Sequence, residues 1–282
     1  MARSGAVPCP GGADRLTVPA APAPAAFGAS VLILCPHPDD EVVAAFAAIG
    51  RAQAQGSKIS VLFLTHGCVD AAAMWPWERG RYDAVVARRR AEAGRLAAEI
   101  GLDIAGHADR AARQLWRQLR EAEREVRAAI AALAIDQLWV PAFEGGNPDH
   151  DGASAIASRL AAEGMSVLEF AEYNLAGGKA NSHRFVRPNG TETVLRLTPA
   201  ERAAKRRALA GYASEARNLG YVGVDREVFR PLAAYDYSRA PHDGKLWYAR
   251  FQWVPFPHPG VDFTRPRDVA QAISAYFLGD RA

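Results

Sequence analysis

The stretch Val31-Leu32-Ile33-Leu34-Cys35-Pro36-His37-Pro38-Asp39-Asp40-Glu41 decides the fold. Its first five residues are all apolar, the pattern of a strand buried on both faces, as in a parallel sheet. Pro36 to Asp40 reads as a tight polar loop. Glu41 to Gln55 follows as a helix that is apolar nearly all round, with Gly56 as its stop signal. Lys58 to Thr65 is a second buried strand. Strand, helix and strand within about 35 residues make a βαβ unit.

The alternation continues outward. Tyr82 to Ile100 reads as a helix ended by Gly101, and a second long helix lies within His107 to Leu133. Gln137 to Ala142 is a third strand, the polar loop Phe143 to Asp151 follows, and a helix runs from about Gly152 to Ala162. Ser166 to Ala171 is a fourth strand. The expected architecture is α/β: a Rossmann-like, mostly parallel sheet with helices on both faces. Thr198, Pro199 and Glu201 start a further helix that reaches about Asn218. The region from Tyr221 to Asp268 is predicted to hold loops and short strands, an irregular C-terminal part before a last helix from Arg267. Residues 1–29 read as an Ala/Pro-rich arm and residues 30–282 as one catalytic domain.

Composition narrows the class. Of 282 residues, 49% are hydrophobic and 23% charged, which suits a packed globular chain and excludes a disordered one. Lys plus Arg is 34 against 31 Asp plus Glu, a balance that does not point to nucleic acid. Three cysteines (Cys9, Cys35 and Cys68) form no CxxC and no disulfide framework, so a reducing, cytoplasmic location is expected. No apolar run approaches the roughly 20 residues of a membrane span. The oligomeric state is left open.

In open parallel sheets, ligands bind beyond the carboxyl ends of the strands. Two polar loops follow strands here: Pro36-His37-Pro38-Asp39-Asp40-Glu41, and Asn147-Pro148-Asp149-His150-Asp151. If both strands share a sheet, His37, Asp39, Asp40 and His150 meet. Two imidazoles and a carboxylate are a usual set for catalytic zinc, with a position left for water. His37 and Asp40 lie three apart and can converge on one ion that His150 completes. Asp39 is then available as general base. The bland reading is that Asp39 or Asp40 caps the following helix. Iron, cobalt or manganese also suit the donor set.

These two motifs resemble the PIG-L/LmbE family of zinc-dependent deacetylases of N-acetylglucosamine glycoconjugates, over roughly residues 30–220. The resemblance implies Zn2+ held by His37, Asp40 and His150, with Asp39 as base and a small-molecule glycoconjugate as substrate. Arg89 and Glu92 match the family's Arg-x-x-Glu pattern, in which the arginine contacts the sugar. Lys205 to Ser214 resembles a Lys-x-x-Ala…Tyr-x-Ser stretch of many members, and a plain amphipathic helix is its simpler reading. Where family members have a histidine, this chain has Asn147, which can donate to an oxyanion but cannot act as an acid near neutral pH. The amine's proton then comes from Asp39, or from His66, His183 or His258, with His66 preferred. Trp75 and Trp77 either stack on a sugar or aglycone or pack their loop onto the domain. The function these features imply is removal of an acetyl group by metal-activated water. An amidase for a larger acyl or thiol conjugate and a sugar-binding module without catalysis are the rivals.

Overall fold

The computed structural model describes residues 27–220, 222–251, 261 and 263–279. Most of the expected N-terminal arm, Cys9 and His258 lie outside the described residues. The chain order is β1 (Ser30–Cys35), α1 (Asp40–Ala54), β2 (Lys58–Phe63), α2 (Tyr82–Glu99), β3 (Asp103–His107), α3 (Leu119–Leu133), β4 (Gln137–Pro141), α4 (Pro148–Ala162) and β5 (Ser166–Phe170). A small hairpin, β6 (Tyr173–Asn174) with β7 (Asn181–Ser182), leads to β8 (Thr193–Arg196), α5 (Pro199–Gly211), β9 (Arg226–Pro231) and α6 (Pro266–Leu278).

Seven strands form one sheet in the order β3-β2-β1-β4-β5-β9-β8. The pairs from β3 through β5 are parallel, and β9 and β8 extend the sheet antiparallel. The mostly parallel α/β reading is therefore what the chain adopts. Alternate residues of β1 serve two cores, as strand geometry requires. Val31, Ile33 and Cys35 join α1, α2 and α5 through Val42, Ile49, Leu96 and Ala208. Leu32 and Leu34 face α3, α4 and α6 through Val126, Ile156 and Ile273. Each fully buried Leu or Ile contributes about 1.5–3 kcal/mol by leaving water, so a strand with no exposed face has one stable place, the middle of the sheet.

Several boundaries differ from the sequence reading. The edge strand β3 is half-buried, contains Gly106 and is paired to β2 through a register shift. It offers no apolar run, which is why it was not legible. Helix α3 begins only at Leu119, and Leu115 sits in a short turn before it. Helix α5 stops at Gly211 rather than near Asn218, because Tyr212 leaves the helical region at φ −84°, ψ 61°. Helix α4 begins at Pro148, four residues earlier than expected. Asn147 caps it, accepting from Asp149 N, and proline occupies its first position. The Pro148-Asp149-His150-Asp151 motif is thus the first turn of a helix, not a loop. No helix among the described residues is long and apolar enough to cross a membrane.

Candidate active site

Strands β1 and β4 are parallel neighbours, yet α1 and α4 leave them towards opposite faces. This is the point where the strand order reverses, and it opens a crevice at the sheet's carboxyl edge. The loops after β1 and β4 form its floor. The crevice has a volume of about 630 Å3 and includes His37, Asp39, Asp40, Asn147, Glu172 and Tyr173 in its lining.

His37, Asp40 and His150 are all buried, and one ligand atom from each lies within 4.8 Å of the others. His37 Nδ1 is 3.2 Å from His150 Nε2, and His150 Nε2 is 3.5 Å from Asp40 Oδ1. The loop is closed on itself by His37 N, which donates to Asp40 Oδ2 at 2.7 Å. Behind His37 stands Asp149, whose Oδ2 is 3.1 Å from His37 Nε2. Asp149 also accepts from the backbone N–H groups of Leu115 and Arg113. A carboxylate that accepts Nε2–H leaves His37 Nδ1 as a lone pair towards the cluster.

The electrostatics agree with a site built for a cation. Burial lowers the His37 pKa, but its bonds to Asp149 and Asp40 outweigh that and push it up to about 10. Burial raises Asp40, but His150 and His37 outweigh it and hold the carboxyl well below the usual range. Two imidazole nitrogens facing each other across 3.2 Å, with an ionised carboxylate beside them, are satisfied together only by a proton or a metal ion. The residues present therefore suit a zinc ion held by His37, Asp40 and His150.

Asp39 occupies the turn before α1 at φ 149°, ψ −22°, and its side chain makes no cap bond to that helix. A positive φ outside glycine stores roughly 1–3 kcal/mol and needs outside support. Glu41 supplies it by accepting from Asp39 N at 3.1 Å, and Tyr212 in turn donates to Glu41. Burial raises the Asp39 carboxyl, against the pull of Arg89, which donates to Oδ2 at 2.7 Å.

The other candidates divide. Arg89 is neither a surface residue nor open to the crevice alone. It is 2% exposed and also reaches Ser214 Oγ at 3.1 Å and Glu215 at 3.3 Å. Glu92 accepts from Ser214, so the Arg-x-x-Glu pair ties α2 to the segment after α5. Lys205 is buried on Glu227 and the Val43 carbonyl, both at 2.8 Å. The Lys205…Tyr212…Ser214 stretch is thus a clamp on α1, the turn before it and α2. Asn147 lines the crevice; its Oδ1 is committed to the α4 cap, which leaves its Nδ2 as a donor. His66 lies instead on a neighbouring cavity of about 600 Å3, with Nε2 3.1 Å from Tyr82 OH; Tyr82 lines both spaces. Trp75 stacks on Trp77 at 5.0 Å, in the loop between β2 and α2. His183 is held between the carbonyls of Ala171 and Gly223.

Two buried acids at the cluster, Asp149 and Glu172, had no role in the sequence reading. Asp149 stood inside a quoted motif, and a helix start at Pro148 would have singled it out. Glu172 lies just past the end of β5, on the same sheet edge as the two motifs, so the rule that led to those loops applied to it too.

Fold and site together define a mostly parallel α/β chain with a buried His/Asp/His cluster at the switch point of its sheet. Residues 32–161 match the family described as PIG-L: GlcNAc-PI de-N-acetylase. The family is one of N-deacetylases, hydrolases of amide bonds. Among solved structures, a deacetylase of the teicoplanin biosynthesis pathway is 17% identical with TM-score 0.59, covering 73% of this chain and 99% of that one. The deacetylase of the A40926 pseudoaglycone is 20% identical with TM-score 0.55, again covering 73% and 99%. A zinc-inhibited form of teicoplanin deacetylase is 15% identical with TM-score 0.54 at the same coverage. At these identities the likeness establishes the fold. No curated protein matches the sequence.

Proposed function

We propose that this chain is a zinc-dependent N-deacetylase that releases acetate from an N-acetylglucosamine-type or related amide glycoconjugate, with residues 30–282 as one catalytic domain. The observation that carries the reading is the convergence of His37, Asp40 and His150 within 4.8 Å beside Asp39. The free thiols of Cys35 and Cys68 suit a reducing, cytoplasmic setting.

When bound, zinc supplies Lewis-acid polarisation of the acetamide carbonyl and lowers the pKa of water. His37, Asp40 and His150 hold it. Asp39 accepts the proton of the attacking water as the C–O bond forms. Asn147 Nδ2 donates to the developing oxyanion. The C–N bond then breaks, and Asp39 returns its proton to the amine nitrogen, leaving acetate and a free amine. This shuttle needs no second imidazole. Arg89 holds the Asp39 carboxylate in place through the 2.7 Å contact. Tyr173 and Trp247, 5.1 Å apart and edge-on, offer an aromatic wall of the kind that lies against a sugar ring. His66, on the neighbouring cavity that shares Tyr82 with the crevice, and Trp75, in the loop between β2 and α2, are assigned to substrate contacts beyond the reacting amide.

The test is metal content together with acetate release from N-acetylglucosamine conjugates, for wild type and Asp39→Ala. About one zinc per chain in both, with release lost only in the variant, supports the mechanism. Metal without release in the wild type moves the reading to a larger acyl group. Absence of both, even after zinc is added back, moves it to a sugar-binding module.

A further inference from the structure

Glu172 is 1% exposed, and neither of its carboxylate oxygens has a hydrogen-bond partner among the described residues. An acid buried without partners is strongly disfavoured. Its backbone is clamped on both sides: Glu172 N donates to Glu144 Oε1 at 2.8 Å, and Glu172 O accepts from His183 N at 2.8 Å. These bonds fix where its side chain leaves the backbone, and burial keeps the carboxylate from reaching solvent. The donor it faces is His150 Nδ1, 3.5 Å from Oε2 and itself without a hydrogen-bond partner. Two orphaned buried groups of matching polarity thus stand a few tenths of an ångström beyond bonding distance.

We infer that Glu172 is the positioning residue of His150, accepting its Nδ1–H and so fixing the tautomer that turns Nε2 towards Asp40 and His37. The inference rests on the metal reading above. It makes the two imidazoles mirror one another. His37 offers Nδ1 because Asp149 takes Nε2–H, and His150 offers Nε2 because Glu172 takes Nδ1–H. Each ligand backs onto its own buried acid, which orients the ring and raises its basicity.

The experiment compares zinc affinity of metal-free wild type, Glu172→Gln and Glu172→Ala by competition with a chromogenic chelator. Thermal unfolding of each metal-free protein serves as the folding control, and the visible spectrum of each cobalt-loaded protein as a second readout. The expected result is zinc binding weakened about 10–100-fold in Glu172→Ala. A smaller loss is expected in Glu172→Gln, whose amide oxygen still accepts from Nδ1. The cobalt bands should shift in both. If Glu172→Ala does not fold, the near-isosteric Glu172→Gln decides alone. Wild-type affinity and spectrum in the folded variants overturn the inference and leave the proposed function standing. A wild type that takes up no metal overturns both.

Discussion

Arg89 and Asp39 form a buried ion pair, Nη2 to Oδ2 at 2.7 Å, although they come from α2 and the turn before α1. The contact joins the strained turn to the helix on its flank. Removing Arg89 strands a carboxylate in a site where burial already penalises its charge. Arg89→Ala is expected to lower stability by about 3–5 kcal/mol. Arg89→Lys keeps the charge but loses the planar fork that also reaches Ser214 and Glu215, so kcat should fall with less loss of stability. Denaturant unfolding and steady-state kinetics check the two effects.

Gly67 lies against the same arginine. Its φ is +76°, and a Cβ there would lie 2.9 Å from Arg89 Nε and 2.9 Å from Pro38 Cδ. The proline ring cannot give way, and the arginine is held by its partners. Gly67→Ala is expected to destabilise by about 1–3 kcal/mol and to reduce activity through displacement of Arg89. An activity close to wild type would show that the turn tolerates the shift.

Metal removal has a calculable signature. Zinc bound at 100 times its Kd stabilises the folded protein by about 2.7 kcal/mol. Chelation is expected to lower the melting temperature and abolish acetate release, and one equivalent of zinc to restore both. Calorimetry before and after chelation reads the first, an acetate assay the second.

Helices α1 and α5 are joined by Arg51 and Glu201, 2.8 Å apart, where Glu201 also closes the capping box with Thr198. Its bonds to Arg51 and to Thr198 hold the Glu201 carboxyl down to about 2, from 4.5. A depressed acid stabilises above its unfolded pKa, and that stability is lost as pH falls through the folded value. The pair is partly exposed, so its contribution is about 1 kcal/mol. Arg51→Ala should be less stable than wild type at pH 6, and the difference should shrink from about pH 4.5 towards pH 2. Urea unfolding at a series of pH values tests the convergence.

Local patterns in the chain were enough for the β1–α1–β2 unit, because a strand of Val31, Leu32, Ile33, Leu34 and Cys35 buries every side chain only inside a sheet. They were enough for the pairing of the two polar motifs as well, since loops after parallel strands share an edge. Where an element had a weak apolar signature, the chain was silent. Strand β3 lies half-exposed at an edge; a short strand was expected in the region of β9, but not its antiparallel place beside β5. Their places depend on strand partners far along the chain.

The same division runs through the site. The chain by itself determined which residues can act as ligands and base, because imidazole and carboxylate chemistry is local to each side chain. Only the tertiary structure decided what stands behind them: Asp149 at His37, Glu172 at His150, Arg89 at Asp39, and Tyr212 behind Glu41. It also set His66 on the neighbouring cavity. The physical reason is that desolvation and buried hydrogen bonds depend on which distant residues share a cavity, and the pattern of neighbouring residues carries no record of that.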